Sequence, residues 1–221
     1  LEFRRVLFRS LYGEHPAGGY YSKPPLLPWL MRAATEVFGD GHWAMRLPSV
    51  VLHVLIAFTL FLLGRELYDP AVGSLAALVY LTLPAVSLSS MLASTDPPMM
   101  FGWALATLGL VLALKSASAV PWMLTGAAVG FGLLGKYTIL AWIGGAALVL
   151  ALDPVWRRGV RGPGLVWAAA AAVLVAAPNL VWNVQAGFAT FAHLGENAAL
   201  GAGAAVPPAE RWRELGDFAV S

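Results

Sequence analysis

A lysine beside two prolines is the first place where this chain could do chemistry. Residues 20–25 have the sequence Tyr-Tyr-Ser-Lys-Pro-Pro and lead into an apolar stretch. The prolines favour an extended backbone at Lys23 and suit the first turn of a helix, so we expect its ammonium at a helix N-terminus. A cation at the positive end of a helix is suited to bind an anion. The alternative is a lysine that only extends from a membrane segment to the interface.

Three more charged residues lie at the ends of apolar segments. Lys136 is the one charge within residues 116–152, Asp96 stands before two prolines, and Arg46 precedes an apolar run. Arg46 could contact a phosphate through two parallel hydrogen bonds, and Asp96 could orient an acceptor, bind a metal or hold a lysine in place. The structural alternatives are a loop lysine, a helix N-cap at Asp96 and an arginine that anchors a helix end.

Polar residues also gather near the end of the chain, where they could line a sugar pocket or form a hydrogen-bonded loop. They are Asn179, Asn183, Gln185, His193 and Asn197. His53 lies inside an apolar segment, where a hydrogen-bonded packing role is favoured over metal ligation. No spacing of His and carboxylate residues predicts a metal site, and the sequence names no cofactor.

The elements that must position these residues are membrane helices. Hydrophobic residues make up 59% of the 221 positions and charged residues only 12%, about half the share usual in soluble domains. The nine Trp and six Tyr suit a protein with many interfacial anchors. With no Cys, neither a disulfide nor a thiolate metal site is available.

The first ten residues match the translation of a common sequencing adapter, so we treat 1–10 as a non-native adapter-like scar and 11–221 as the natural segment. They contain three Arg and one Glu, and the remainder therefore holds 11 basic and 11 acidic residues. The basic pI of the whole chain is then no argument for a nucleic-acid partner or for anionic lipid. We expect the segment 11–221 to be truncated at both ends.

Apolar segments long enough to approach a bilayer crossing predict an all-α, polytopic protein with about six spans. The segments are 47–63, 70–95, 97–114, two short spans within 116–152 that meet near Gly135 and Lys136, and 164–182.

Alternation of the spans places the connections on two faces. One face receives residues 11–46, the turn 94–98, Lys136 and everything after Trp182, whereas the other receives 65–70, 115–121 and 153–163. The first face collects the long segments and most of the polar groups, which marks it as the working side. Basic residues in the short loop 153–163 favour a cytoplasmic location for the second face.

The order of several short motifs resembles the C-type membrane glycosyltransferases, in the branch of the aminoarabinose transferases and protein mannosyltransferases. The matching pieces cover nearly all of residues 11–221. They are residues 20–26, Phe-Gly-Asp at 38–40, Arg-Leu-Pro-Ser at 46–49, Ser-Thr-Asp at 94–96, Gly-Lys-Tyr-Thr at 135–138, Pro-Asn at 178–179 and Trp-Asn at 182–183.

The resemblance implies an inverting transfer of a sugar from a polyprenyl-phosphate carrier to a lipid, glycan or protein acceptor, at the periplasmic face of the bacterial inner membrane. In such enzymes cations stabilise the charge that grows on the leaving phosphate. It therefore implies carrier-phosphate contacts for Lys23 and Lys136. The main catalytic carboxylate would lie upstream of Leu11, which leaves Asp96 as the catalytic candidate within this chain. The candidate substrate-binding residues are Lys23, Lys136, Tyr20, Tyr21, Arg46, Asn183 and His193.

Two other functions compete with transfer. A secondary transporter or flippase of lipid-linked sugars would place polar residues near the middle of its spans and use paired broken helices. The sequence instead places its polar groups on one face and contains few charges inside the spans. A purely structural membrane subunit would leave the motif at residues 20–25 unexplained.

Overall fold

The computed structural model of this chain describes residues 17–20, 23–160 and 162–188. Within these ranges the chain forms helices and no β-strand, which confirms the all-α class. The α-helices are α1 (Leu26–Phe38), α2 (His42–Leu67), α3 (Pro70–Thr82), α4 (Pro84–Ser90), α5 (Asp96–Lys115), α6 (Ala119–Gly135), α7 (Leu140–Leu152), α8 (Pro154–Arg157) and α9 (Gly164–Gln185). A single 3-10 turn, Tyr137–Ile139, separates α6 from α7.

The membrane-type helices agree with a polytopic protein. In the part of the chain that is described, α2, α5 and α9 are each long and apolar enough to cross a bilayer, and the bent pair α3 and α4 makes a fourth candidate. Two shorter apolar helices, Ala119–Gly135 and Tyr137–Leu152, occupy the interval where we predicted two short spans. Those two meet at Lys136, as the sequence indicated.

One predicted span, 70–95, is not continuous. Helices α3 and α4 meet at a bend of 62°. Leu83 between them has an extended backbone with φ −64° and ψ 127°. The cause is Pro84, because a proline disfavours helical geometry in the residue before it and donates no hydrogen bond of its own. The predicted span 70–95 is therefore formed by two helices with a break at Pro84.

Helix α1 is amphipathic and precedes the first long helix. Its buried residues recur every three or four positions and pack mainly on α2: Leu26, Leu27, Pro28, Met31 and Ala34. On another side of the same helix, Arg32 donates a 2.6 Å hydrogen bond to Glu36. The burial of one side of α1 fixes the orientation of its first turn, which follows Lys23.

Helix α6 lies between α5 and α9 and approaches both backbones closely. A Cβ built at Gly102 of α5 would come within 2.8 Å of the Gly132 Cα on α6. On the opposite side of α6, a Cβ at Gly126 would collide with the carbonyl oxygen of Ala168 on α9. Small residues at such contacts are the usual way in which membrane helices pack, because apolar surface alone gives no preference for protein over lipid. These contacts fix α5, α6 and α9 relative to one another.

We predict that Gly126→Val separates α6 from α9 and lowers the stability of the purified protein. The added side chain would meet backbone atoms, which cannot move aside as the end of a flexible side chain can. Overpacking of this kind lowers the free energy of unfolding by about 1–3 kcal/mol. Thermal unfolding followed by circular dichroism in detergent measures the loss. Gly144→Val on α7 is the control, since nothing lies within 4 Å of a Cβ built there. Equal melting temperatures for the two variants would contradict this packing.

Candidate functional site

An ion pair joins the beginning of α5 to the end of α6. The Lys136 Nζ lies 2.7 Å from the Asp96 Oδ1, and each side chain is a little under half exposed. Asp96 is the first residue of α5, where the helix dipole favours a carboxylate. The N-cap position belongs to Thr95, so Asp96 is not the N-cap that the sequence allowed as an alternative.

The break between α6 and the 3-10 turn holds Lys136 at this position. Its backbone is extended, with φ −162° and ψ 133°, and its N–H donates to the Gly132 carbonyl. The preceding residue, Gly135, lies against α5, since a Cβ there would come within 3.0 Å of the Pro98 Cβ. Close contact of the two backbones therefore brings the ammonium to the carboxylate across 40 residues of sequence.

The pair leaves the lysine able to bind a second anion. An ammonium carries three donors, and among the described residues Asp96 is its one hydrogen-bonded partner. A half-exposed ion pair contributes only about 0–1 kcal/mol to stability, so little free energy opposes its rearrangement. The geometry positions a cation that a phosphate can share with Asp96 or take from it.

A buried polar network lies directly beside Lys136. The Tyr137 hydroxyl donates to the Asn179 Oδ1 at 2.7 Å and accepts from the Asn183 Nδ2 at 3.2 Å. Both asparagines are almost fully buried, with exposed fractions of 3% and 2%. The same Asn183 nitrogen also donates to the Asn179 backbone carbonyl at 2.9 Å. This network joins the turn after α6 to the end of α9.

The two asparagines correct the sequence prediction, which placed them in a polar set after the last span. Helix α9 continues to Gln185, and both residues lie inside it. Their spacing of four residues puts them on one face, which packs toward α6. Asn183 is thus a buried helix residue. Asn197 lies outside the described residues, and Gln185 is exposed at the helix end.

The segment before α1 is tied to the same network. The Asn179 Nδ2 donates to the Gly18 carbonyl at 3.0 Å, and the Trp29 Nε1 donates to the Ala17 carbonyl at 3.1 Å. Gly19 leaves no room for a side chain, because a Cβ there would come within 2.8 Å of the Asn179 Nδ2. Residues 17–20 are therefore fixed against α9 at the level of Asn179.

Lys23 lies next to Tyr20 of this segment. The backbones of Tyr20 and Lys23 pair through hydrogen bonds of 3.1 Å and 3.3 Å. The Tyr20 ring is buried with 8% exposure, whereas Lys23 is exposed. Helix α1 begins three residues later at Leu26, with Pro25 fully buried at the N-cap. Lys23 thus precedes a helix N-terminus, as the prolines indicated.

Several predicted residues are not part of this assembly. Arg46 lies on α2, in the wall of a separate groove. Tyr21 and His193 lie outside the described residues. His53 packs inside the helices, where its Nδ1 is 2.7 Å from the Tyr80 hydroxyl. Among the described residues no group of three His, Cys, Asp or Glu could hold a metal ion.

The contacts agree with the predicted alternation of spans. Gly18, Asp96 and Lys136, which the alternation assigned to one face, are brought together because Lys136 contacts Asp96 and Asn179 contacts both Gly18 and Tyr137. At the other end of α5, Lys115 donates to the Glu66 carboxylate at 3.0 Å. A helix of 20 residues separates the two groups by roughly 30 Å. The polar connections therefore divide between opposite ends of the bundle.

Comparison with known families decides the class of the protein. A family model described as dolichyl-phosphate-mannose-protein mannosyltransferase matches residues 22–182. The chain belongs to this family. Its match includes Lys23, Asp96, Lys136, Tyr137 and Asn179, and it ends one residue before Asn183. The predicted resemblance to C-type membrane glycosyltransferases is confirmed.

Curated relatives of this mannosyltransferase-family chain are bacterial glycosyltransferases. It is 34% identical to the lipid A galacturonosyltransferase RgtD of Rhizobium johnstonii over 200 residues. These residues are 90% of this chain and 39% of that protein. It is 33% identical over 168 residues to the undecaprenyl phosphate-alpha-4-amino-4-deoxy-L-arabinose arabinosyl transferase of Pseudomonas aeruginosa, or 72% of this chain and 30% of that one. The chain thus spans well under half the length of these relatives. No solved structure matches it significantly.

Sequence reasoning assigned no role to Tyr137, although it stands in the Gly-Lys-Tyr-Thr motif. A tyrosine beside a candidate phosphate lysine, with two asparagines four residues apart in an otherwise apolar helix, was the available signal. An amide inside a membrane helix needs a partner, and a tyrosine hydroxyl at a helix break is well suited to supply one.

We predict that Tyr137→Phe destabilises the protein by about 1–3 kcal/mol, because it removes a half-buried donor and leaves the buried Asn179 oxygen without that partner. The melting temperature of the purified protein should fall. Tyr68→Phe removes the same hydroxyl from a residue that is 75% exposed, and it should leave the melting temperature unchanged. A neutral effect of Tyr137→Phe would show that the network contributes nothing to the fold.

Proposed function

We propose that the intact protein transfers a sugar from a polyprenyl-phosphate carrier to a lipid acceptor at the periplasmic face of the inner membrane. The observation that carries the proposal is the Lys136 ammonium, held 2.7 Å from Asp96 beside the buried Tyr137 network. The named donor of one relative is an undecaprenyl phosphate sugar, and the named acceptor of another is lipid A. Both support a lipid-linked donor and a lipid acceptor.

The proposed reaction needs positive charge at the leaving group. The acceptor oxygen forms a bond to the anomeric carbon as the bond from that carbon to the carrier phosphate oxygen breaks. The bonding electrons leave with the phosphate, and a base takes the acceptor proton. Lys136, together with Lys23, stabilises the phosphate as its charge grows. Asp96 holds the Lys136 ammonium in place and is the candidate base within this chain.

We predict that Lys136→Ala in the full-length protein lowers the rate of transfer by about a hundredfold or more, since a preorganised donor to the developing charge is lost. The assay measures sugar transfer from undecaprenyl-phosphate-linked aminoarabinose to lipid A by detergent-purified protein, with expression matched. A polyprenyl-phosphate-linked galacturonic acid is tested as donor in parallel. Lys23→Ala should show a loss in the same direction.

Lys115→Ala is the matched control. Lys115 also forms an ion pair with a carboxylate at an end of α5, at 3.0 Å and with a similar exposure of 45% against 42%. It should retain nearly full activity. The assignment fails if Lys136→Ala keeps the wild-type rate at both saturating and limiting donor. Uptake or flipping of the lipid-linked sugar without transfer would favour the transporter hypothesis.

We also predict that the Lys136 end of the bundle faces the periplasm. This chain contains no Cys, so single cysteines at Thr138 and Arg158, both exposed, can be labelled individually. In intact cells an impermeant maleimide should label position 138 and leave position 158 unlabelled until the membrane is opened. Any cysteine elsewhere in the full-length protein is replaced first. The reverse pattern would place the candidate site on the cytoplasmic side.

A further inference from the structure

An open groove of about 700 Å³ lies between the start of α2 and the end of α4. It is separate from the ion pair of Lys136 and Asp96. Its lining residues are His42, Trp43, Arg46, Leu47, Val50, Ser90 and Met91. Five of these residues come from the first three turns of α2, at spacings of three and four. One stripe of the helix therefore forms a continuous wall.

The groove has a cationic end and an apolar remainder. Arg46 is exposed, and His42 stands one turn before it on the same helix face. Beyond them Val50 and Met91 are 43% and 60% exposed, and neither is covered by any described part of the chain. Trp43, at 58% exposure, is of the type that favours the membrane interface. A cation above an apolar wall complements the headgroup and the chain of an anionic lipid.

Arg46 forms no ion pair within the described part of the chain. Its guanidinium makes no hydrogen bond or ion pair with any described residue. Other arginines of the bundle do have partners, since Arg32 contacts Glu36 and Arg65 lies 5.7 Å from the Phe61 ring centroid. The planar guanidinium can bind a phosphate through two parallel hydrogen bonds. The groove therefore offers an exposed guanidinium to a phosphate.

The groove is connected to the proposed reaction site. The buried Ser49 hydroxyl donates to the Leu92 carbonyl at 2.9 Å, which fastens α2 to the connection after α4. That connection leads directly to Asp96, the partner of Lys136. The groove thus lies at the end of α2 that is linked to this connection, and neither Asp96 nor Lys136 lines it.

We infer that this groove binds the acceptor lipid and that Arg46 contacts a phosphate on its headgroup. The identification of the bound lipid as the acceptor rests on the proposed function, which assigns Lys23 and Lys136 to the carrier phosphate. Two lipids with separate cationic contacts can then be present together, as transfer between them requires. Arg46 is a specificity-determining residue in this arrangement.

Binding tests the inference without catalysis. The full-length protein in detergent is titrated with bisphosphorylated lipid A and with its dephosphorylated form, and native mass spectrometry measures the bound fraction. Wild-type protein should prefer the phosphorylated form. Arg46→Ala should weaken that binding by about tenfold or more, as expected for a lost bidentate contact to a charged group. Arg46→Lys keeps the charge and loses the fork, so its binding should fall between the two.

Arg65→Ala is the matched control, because Arg65 lies near the other end of the same helix. It should bind lipid A like the wild type, and circular dichroism melting shows whether each variant is folded. In transfer assays Arg46→Ala should raise the KM for lipid A and leave the KM for the undecaprenyl-linked donor unchanged.

Three results would overturn the inference. The first is equal lipid A binding by folded Arg46→Ala and wild type, and the second is equal weakening by Arg65→Ala. The third is that Arg46→Ala weakens the binding of undecaprenyl phosphate and leaves the binding of lipid A unchanged, which would assign the groove to the carrier. Wild-type protein that binds lipid A through Arg46 but transfers no sugar contradicts the proposed function instead, so the two failures are distinguishable.

Discussion

The contact of α6 with its two neighbours is the constraint on which the candidate site depends. Glycines at 102 and 126 allow the backbones of α5 and α9 to approach α6 from opposite sides. The end of α6 is then held between the beginning of α5, which carries Asp96, and the end of α9, which carries the asparagines. Larger residues at these contacts would move the lysine away from both partners. Packing inside the membrane thus sets the geometry of the polar groups at its edge.

The helix break at Lys136 converts that packing into a site. A continuous helix from 119 to 152 would direct the lysine side chain along the helix surface. The extended backbone at Lys136 and the 3-10 turn after it place two consecutive side chains in different surroundings. Lys136 meets a half-exposed carboxylate, whereas Tyr137 enters a buried amide network. The network fixes the turn, and the ammonium at the same turn keeps access to solvent.

Much of the architecture was predictable because it follows from composition and local chemistry. Long apolar runs dictate membrane helices, and the paired prolines at 24 and 25 dictate where α1 begins. The bend at Leu83 follows from local chemistry too, yet the apolar character on both sides of Pro84 concealed it. Periodicity alone does not distinguish one bent crossing from one straight one. The residue before a proline carried the better signal.

The site was predictable only in part, because its contacts join distant segments. Alternation of spans put Asp96 and Lys136 on one face, but it could not give a 2.7 Å contact between residues 40 apart. The burial of Asn179 and Asn183 was missed, because the polar residues near the chain's end suggested a loop. Their partner Tyr137 lies 42 residues away from Asn179, and the pairing depends on how α6 packs against α9.

The two ends of α5 show why an ion pair by itself does not identify a site. Lys115 donates to both the backbone carbonyl and the carboxylate of Glu66, at 2.8 Å and 3.0 Å, and so links α5 to the end of α2 with two acceptors. Lys136 has a single acceptor among the described residues and stands beside the buried amides. Both pairs link two helices, but α5 and α6 are also in close backbone contact at Gly102, so the second pair can open with those helices still held together. The difference in what surrounds each lysine, and not the charge itself, is why the Lys136 end is the candidate site for the leaving phosphate of the proposed reaction.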